Sequence, residues 1–445
     1  MGAYFARIVK GQTMKRILWW VFSVLVVSVA ALGISWVYYA PPQDMRGVWK
    51  TDGYGLVLDV SATTINVYQV SDIHCMHDQT IPAHTWIVNF LEGVSFANED
   101  GRLALNVSGT LNPIYADPID AVPDLCDVAF PSDPTTVFDV MWEVMNTHYA
   151  HFDTHGVDWA ARKSLRPLPG SSLDDDDLLE VIKATLTGLD DGHTYIATGN
   201  TVWSPLQPDA SWHDVRHLVR DTTIAAVPDL SEPSETGLRV GWATPDIGYV
   251  YMTHMDPKVG LGQRANVVAA QSFAQVLPYF ANAKGIILDV RYNPGGSDDV
   301  AMTYAGFFTD QAMPVLTKTT RTETDTTAPF TAVLAPQVMS NALPVVLMTS
   351  PYTGSAAEIF TLAMRELPQV TTMGMPTLGG LSDIMSIRLP NGWELGFSHQ
   401  TYLTMAGESF ERIGIPPDVA VAVDIAAAQA GSDNVLEQAI QFLSD

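Results

Sequence analysis

Ser355 stands alone in "PYTGSAAEIF", residues 351–360, between a run patterned as a buried strand and a run patterned as a helix. A serine hydroxyl becomes a nucleophile only when a base takes its proton and fixed donors meet the oxyanion that forms. At the start of a helix several backbone N–H groups lack partners, which leaves the amide of Ala356 free to face an oxyanion beside Ser355. A second donor is available in "RYNPGG", where Gly295 and Gly296 let a backbone N–H approach with no Cβ in the way. The same junction has a plainer reading, because serine is also a preferred helix N-cap.

A base is the missing part, and 11 histidines are candidates. His193 lies in "LTGLDDGHTYI", in an Asp-Gly turn between a helical and a strand-like run, a place that would position an imidazole and leave it accessible, although by itself it reads as a surface histidine. His148, His151 and His155 in "HYAHFDTH" have spacings that could align imidazoles for a metal. Gly156 ends that helix beside His155, however, and a zinc site would still need a distant ligand. No metal or other cofactor is therefore read from the sequence. "HCMHD" around Cys75 fits no zinc spacing either. Asp289, Arg291 and Glu358, near the glycine turn and the serine, are read as scaffold.

The elements that must position these groups follow from periodicity. "AKGIILDVRYNPGGSDDVAMTYAGFF" and "ALPVVLMTSPYTGSAAEIFTLAMREL" are both strand-turn-helix units, after a hairpin pattern in "GLRVGWATPDIGYVYMTHM". Consecutive units of this kind imply parallel strands with a covered face, and ligands gather beyond the C-terminal ends of such strands. "QVTTMGMP", "IMSIRLPNG" and "WELGFSHQTYLT" read as further strands. Upstream, "DPTTVFDVMWEVMNTHYAHF" and "SSLDDDDLLEVIKATLTGL" have helical spacing and acidic starts. Between Arg46 and Leu111, short alternating runs including "TTINVYQV", "HTWIVNF" and "RLALNVSG" predict a small antiparallel sheet or barrel, followed by the connector "NPIYADPIDAVPDLC".

The 445 residues suffice for two or three cores. Hydrophobic residues at 47% and charged residues at 16% describe a folded chain. With 23 basic and 49 acidic side chains, a net charge of -26 disfavours nucleic acid as a partner. Ile17 to Ala40 is a 24-residue run without a charge, preceded by Arg7, Lys10, Lys15 and Arg16. It predicts one transmembrane helix with the rest of the chain on the periplasmic or extracellular side, in preference to a cleaved signal. Export would permit a disulfide between the two cysteines, Cys75 and Cys126.

Taken in order, "VMWEVMNTHYAHFDTHGVDW", "LTGLDDGHTYI", "GIILDVRYNPGG", "TGSAAEIF" and "FERIGIPPDV" resemble the tail-specific, C-terminal processing serine peptidases, with "DNVLEQAIQFL" as their closing helix. The likeness runs from about Val137 to Leu443 and is nearest to the tricorn-core branch. It implies an α/β core of the ClpP/crotonase-like type with a helical subdomain, a peptide or protein substrate, His193 as base and Glu411 of "ERIGIPPD" as the acid behind it. Family members with a Ser-Lys pair carry the lysine in a segment matching Gly374 to Gly380, which has none here. Where the tricorn core has a bridging serine, this chain has Gly192, and the interval from Gly199 to Arg239 is too short for a PDZ module. The expected organisation is an anchor over 1–40, a small β domain over 41–128, a helical subdomain over 129–200 and a peptidase core over 201–445. Some relatives of this fold hold apolar ligands without catalysis. Retention of serine, histidine and glutamate together favours the enzyme.

Overall fold

The computed structural model describes residues 39–445 apart from 200, 207–209, 228, 233 and 338–341. The expected transmembrane run lies outside the described residues except at its last two positions, and no described helix is long and apolar enough to cross a membrane.

Seven antiparallel strands between Gly47 and Ile119 form one sheet, in the spatial order 4-3-2-1-7-6-5. Alternation drives it: Ile65 and Val67 of Thr64–Val70 turn inward onto Trp49, Leu58, Leu103 and Ala116. Two segments depart from the sequence reading. "HTWIVNF" is no strand; Thr85–Glu92 is a helix, capped by His84 Nδ1 accepting the Ile87 N–H and ended by Gly93 at φ 66°. Local capping overrides alternation there. Conversely, the connector holds a strand, Ile114–Ile119, between the first and sixth strands. Its Pro118 is tolerated because pairing with the sixth strand stops at Ala116, so the missing N–H falls on an open side. Cys75 and Cys126 are joined by a disulfide with Cα atoms 4.7 Å apart, tying the fourth strand to the segment leading into the helices.

Helix Pro134–His148 starts at Asp133, whose carboxylate accepts the N–H groups of Thr135 and Thr136. Helix Asp175–Leu186 starts likewise at Asp174 and places three aspartates in its first turn. Their apolar faces, including Phe138, Met141, Ile182 and Leu186, bury against Met385, Leu395 and Phe397 from far down the chain. The strands Ile384–Arg388 and Glu394–Ser398 thus join Tyr195–Thr198 in a sheet of their own. They do not extend the parallel sheet.

That parallel sheet has six strands in chain order: Leu238–Thr244, Ile247–Met252, Gly285–Asp289, Val345–Thr349, Val370–Gly374 and Val419–Ala420. The first pair is an antiparallel hairpin and the others run parallel. Gly285–Asp289 and Val345–Thr349 are buried throughout, which is why both read as unbroken apolar runs. At their C-terminal ends lie the glycine turn and Ser355. A fully buried Arg291 braces this edge, 2.8 Å from both Asp289 and Asp433, and Asp433 caps the closing helix Asn434–Ser444.

Candidate functional site

Ser355 precedes helix Ala356–Arg365 with φ 52° and ψ −127°, a left-handed conformation that costs a non-glycine residue of order 1–3 kcal/mol and persists only where surroundings enforce it. The enforcement is visible. Its N–H is held by the Gly380 carbonyl at 3.1 Å and by Glu358 Oε2 at 3.1 Å. Glu358 also accepts from Thr377 Oγ1 at 2.6 Å and from the N–H groups of Gly379 at 2.7 Å and Gly380 at 2.9 Å. Burial pushes its carboxyl up to about 7 against these donors. It is the clamp that fixes the segment 377–380 to the serine.

Gly295, at φ 107°, lies so close that a Cβ on it would stand 2.7 Å from Ser355 Cβ and 2.9 Å from the Ala356 nitrogen. Its own N–H is donated to Asn293 Oδ1 at 2.9 Å. Among the described residues the N–H groups of Ala356 and Gly296 have no partner. These two N–H groups, unlike that of Gly295, are left free to donate.

His193 is buried. Its turn is built by Asp191, whose Oδ1 accepts the N–H groups of His193 at 2.8 Å and Thr194 at 2.5 Å, and whose Oδ2 accepts the Tyr149 hydroxyl at 2.7 Å. Burial lowers the imidazole pKa, with the fields of Asp191 and Asp383 pulling the other way, so the ring is neutral and able to accept a proton. Its Nδ1 has no partner, and among the described residues no hydrogen bond joins the ring to the Ser355 hydroxyl. Such bonds commonly tighten only when substrate binds.

Glu411 is buried with Oε2 accepting the Leu381 N–H at 3.0 Å and Oε1 without a partner. Burial, then the charges of Asp191 and Glu358, push its carboxyl well above the usual range. This environment favours the uncharged form. Next to it, the Arg412 N–H meets the Gly379 carbonyl at 2.6 Å.

One short segment thus gathers all three side chains' neighbourhoods. Gly380 binds the Ser355 backbone, a Cβ on Gly380 would stand 3.4 Å from Gly192 Cα beside His193, and Leu381 holds Glu411. A Cβ at Gly192 would meet Leu378 Cδ2 at 3.1 Å, so the segment occupies the space a serine would need.

The three other histidines disperse. His151 Nε2 donates to the Gln400 carbonyl at 2.8 Å, His155 Nδ1 pairs with Asp190 at 2.9 Å, and His148 ends another helix. No group of three metal-ligating side chains occurs among the described residues. Sequence reasoning missed Lys318 and its neighbours Asp383, Gln400, Tyr402 and Asp298. The available signal was the inward alternation Leu316, Lys318, Thr320, all buried, in strand Met313–Thr320.

Comparison with known proteins agrees with the resemblance. Residues 246–421 match Peptidase family S41. The chain is 28% identical over 191 residues to the carboxy-terminal-processing protease of Bartonella bacilliformis, covering 43% of this chain and 42% of that protein. It is 28% identical over 137 residues to the carboxy-terminal processing protease CtpA of Bacillus subtilis, covering 31% and 28%. The matches span less than half the length of these curated relatives. A crystal structure of a proposed peptidase from Parabacteroides merdae covers 71% of this chain and 98% of its own, with 26% identity and a TM-score of 0.61. Mature CPAF covers 70% and 95% at 11% identity with a TM-score of 0.52, a likeness of fold alone. The chain is similar to the tail-specific, C-terminal processing serine peptidases and has a peptidase-type α/β fold.

Proposed function

We propose that this chain is a membrane-anchored serine peptidase that cleaves peptide bonds through an acyl-enzyme. The observation that carries the reading is the strained Ser355, locked by Glu358 and Gly380, followed by the unpartnered N–H of Ala356 and packed against the glycine turn at Gly295. Ser355 attacks the scissile carbonyl, and neutral His193 takes the hydroxyl proton and returns it to the leaving amine. Glu411 steadies the imidazolium as a carboxylate, a form that positive charge favours against the burial that opposes it. The N–H groups of Ala356 and Gly296 hold the oxyanion, while Gly295 contributes by letting the turn approach.

A histidine-based site of the tricorn-core kind fits better than a Ser-Lys pair, because Gly374 to Gly380 carries no lysine and the segment is filled by Leu378 and glycines. The parallel core with its adjoining helices fits a ClpP/crotonase-like unit. The uncharged run Ile17 to Ala40 supplies the anchor, with the site on the periplasmic or extracellular side. The Cys75–Cys126 disulfide suits that compartment.

The test is hydrolysis of casein or a C-terminal-tail peptide by the full chain and its Ser355→Ala variant, with fluorophosphonate labelling alongside. Cleavage and labelling lost only in the variant support the proposal. Full activity in Ser355→Ala, or an unlabelled wild type, overturns it, the latter in favour of a non-catalytic binding protein. Flotation with lipid vesicles tests the anchor separately.

A further inference from the structure

Lys318 is buried at 2% exposure, in a strand that faces the core. A buried ammonium must have every donor met. Here three acceptors meet three N–H groups: Asp383 Oδ2 at 2.9 Å, the Tyr402 hydroxyl oxygen at 3.0 Å and Gln400 Oε1 at 3.1 Å. Tyr402, accepting from Lys318, donates to Asp298 Oδ2 at 2.9 Å.

The two ends of this chain of bonds belong to two different segments of the site. Asp298 opens helix Asp298–Ala305 two residues after Gly296, and its N–H is held by the Gly109 carbonyl at 3.0 Å. Asp383 lies two residues after Leu381, which holds Glu411, and three after Gly380, which holds the Ser355 backbone. Burial pushes Asp383 up, but Lys318 holds it below the usual carboxylate range, and its charge acts on His193. A third arm runs through Gln400, whose Nε2 donates to the Tyr54 hydroxyl at 2.8 Å, so the N-terminal sheet enters the same network.

Resting on the peptidase reading above, we infer that Lys318 and Tyr402 are positioning residues of the reaction, tying the turn of Gly296 to the segment that holds Ser355 and Glu411. A plain core ion pair would stabilise the fold without setting the distance between oxyanion donor and nucleophile. A positioning pair sets that distance, and its loss falls on turnover more than on substrate binding.

The experiment measures kcat and KM for peptide hydrolysis, and the rate of fluorophosphonate labelling, in the full chain and in Tyr402→Phe, Lys318→Met and Lys318→Arg, below every variant's melting temperature. Tyr402→Phe keeps the ring and removes the hydroxyl, cutting both its bond to Asp298 and the one it accepts from Lys318. It is expected to lower kcat on the order of tenfold with KM within about twofold, and Lys318→Met to lower kcat on the order of a hundredfold with partial recovery in Lys318→Arg. If Lys318→Met does not fold, Tyr402→Phe carries the test. A wild type that labels and cleaves, with Tyr402→Phe matching it in kcat, overturns the inference and leaves the peptidase standing. A wild type that neither labels nor cleaves overturns the peptidase reading and the inference with it.

Discussion

Two buried polar clusters sit at the C-terminal edge of the parallel sheet, and they are built on opposite terms. Around Arg291 every charge is answered: the guanidinium meets Asp289 and Asp433, Asp289 accepts the Tyr249 hydroxyl, and Asp433 takes Thr223 and the first N–H groups of the closing helix. Burial pushes Asp433 up, yet Arg291 and Thr223 hold it below the usual carboxylate range. Around Ser355, by contrast, His193 Nδ1, Glu411 Oε1 and two backbone N–H groups are left without partners, and Glu411 is pushed toward its neutral form. A satisfied cluster specifies the fold, whereas an unsatisfied one keeps bonding capacity for something that arrives later.

The comparison can be broken in several ways. His193→Ala should remove turnover by about four orders of magnitude or more while leaving the melting temperature almost unchanged, since the imidazole gives the fold little. Peptide hydrolysis beside a thermal melt checks both halves, and a large loss of stability with retained turnover would reverse the roles of the two clusters. Arg291→Met should do the converse, costing about 3–5 kcal/mol of folding stability because it strands two buried carboxylates. Denaturant titration reads this directly.

Acid should also separate stability from chemistry. Burial lowers the pKa of His148, His151 and His399 to about 4. Their unfolded-state value is about 6.5, so the unfolded chain binds more protons between these limits. The stability they lend is complete above about pH 6.5 and is lost as pH falls toward 4. Glu358, pushed up to about 7, works in the opposite sense over this window, so the check compares variants: a His151→Gln chain whose melting temperature keeps the wild-type pH dependence would contradict the burial of that ring. Glu411→Gln preserves shape and keeps an acceptor for the Leu381 N–H, so stability should change by less than about 1 kcal/mol while turnover falls about tenfold or more. The smallest effect belongs to Gly192→Ser. Its new side chain presses on Leu378 Cδ2, and a loss of about 1 kcal/mol in a thermal melt is the expected outcome.

What the sequence made legible was local. The strand, glycine turn and helix around Gly295, and the matching unit around Ser355, announce themselves because each is written in one contiguous stretch. Helix Thr85–Glu92 was hidden because eight residues are too few to separate a helical from an alternating pattern. The strand Ile114–Ile119 was hidden by Pro118, whose tolerance depends on where a distant partner stops pairing. The network of Lys318 was illegible for the same reason. Its acceptors, at 383, 400 and 402, follow it by more than sixty residues, and nothing near Lys318 says that they turn toward it.

The sheet beside His193 closes by pairing Gly396 with Tyr195 and Glu394 with Ala197, partners some two hundred residues apart. A ribosome delivers the imidazole's turn long before it delivers the strand that seats it. A nascent chain that has not yet emerged as far as Glu394 therefore holds His193 on an unfinished support. The candidate site is among the last parts of the molecule to be assembled during synthesis, and a chain cut short before that strand inherits the histidine without its seat.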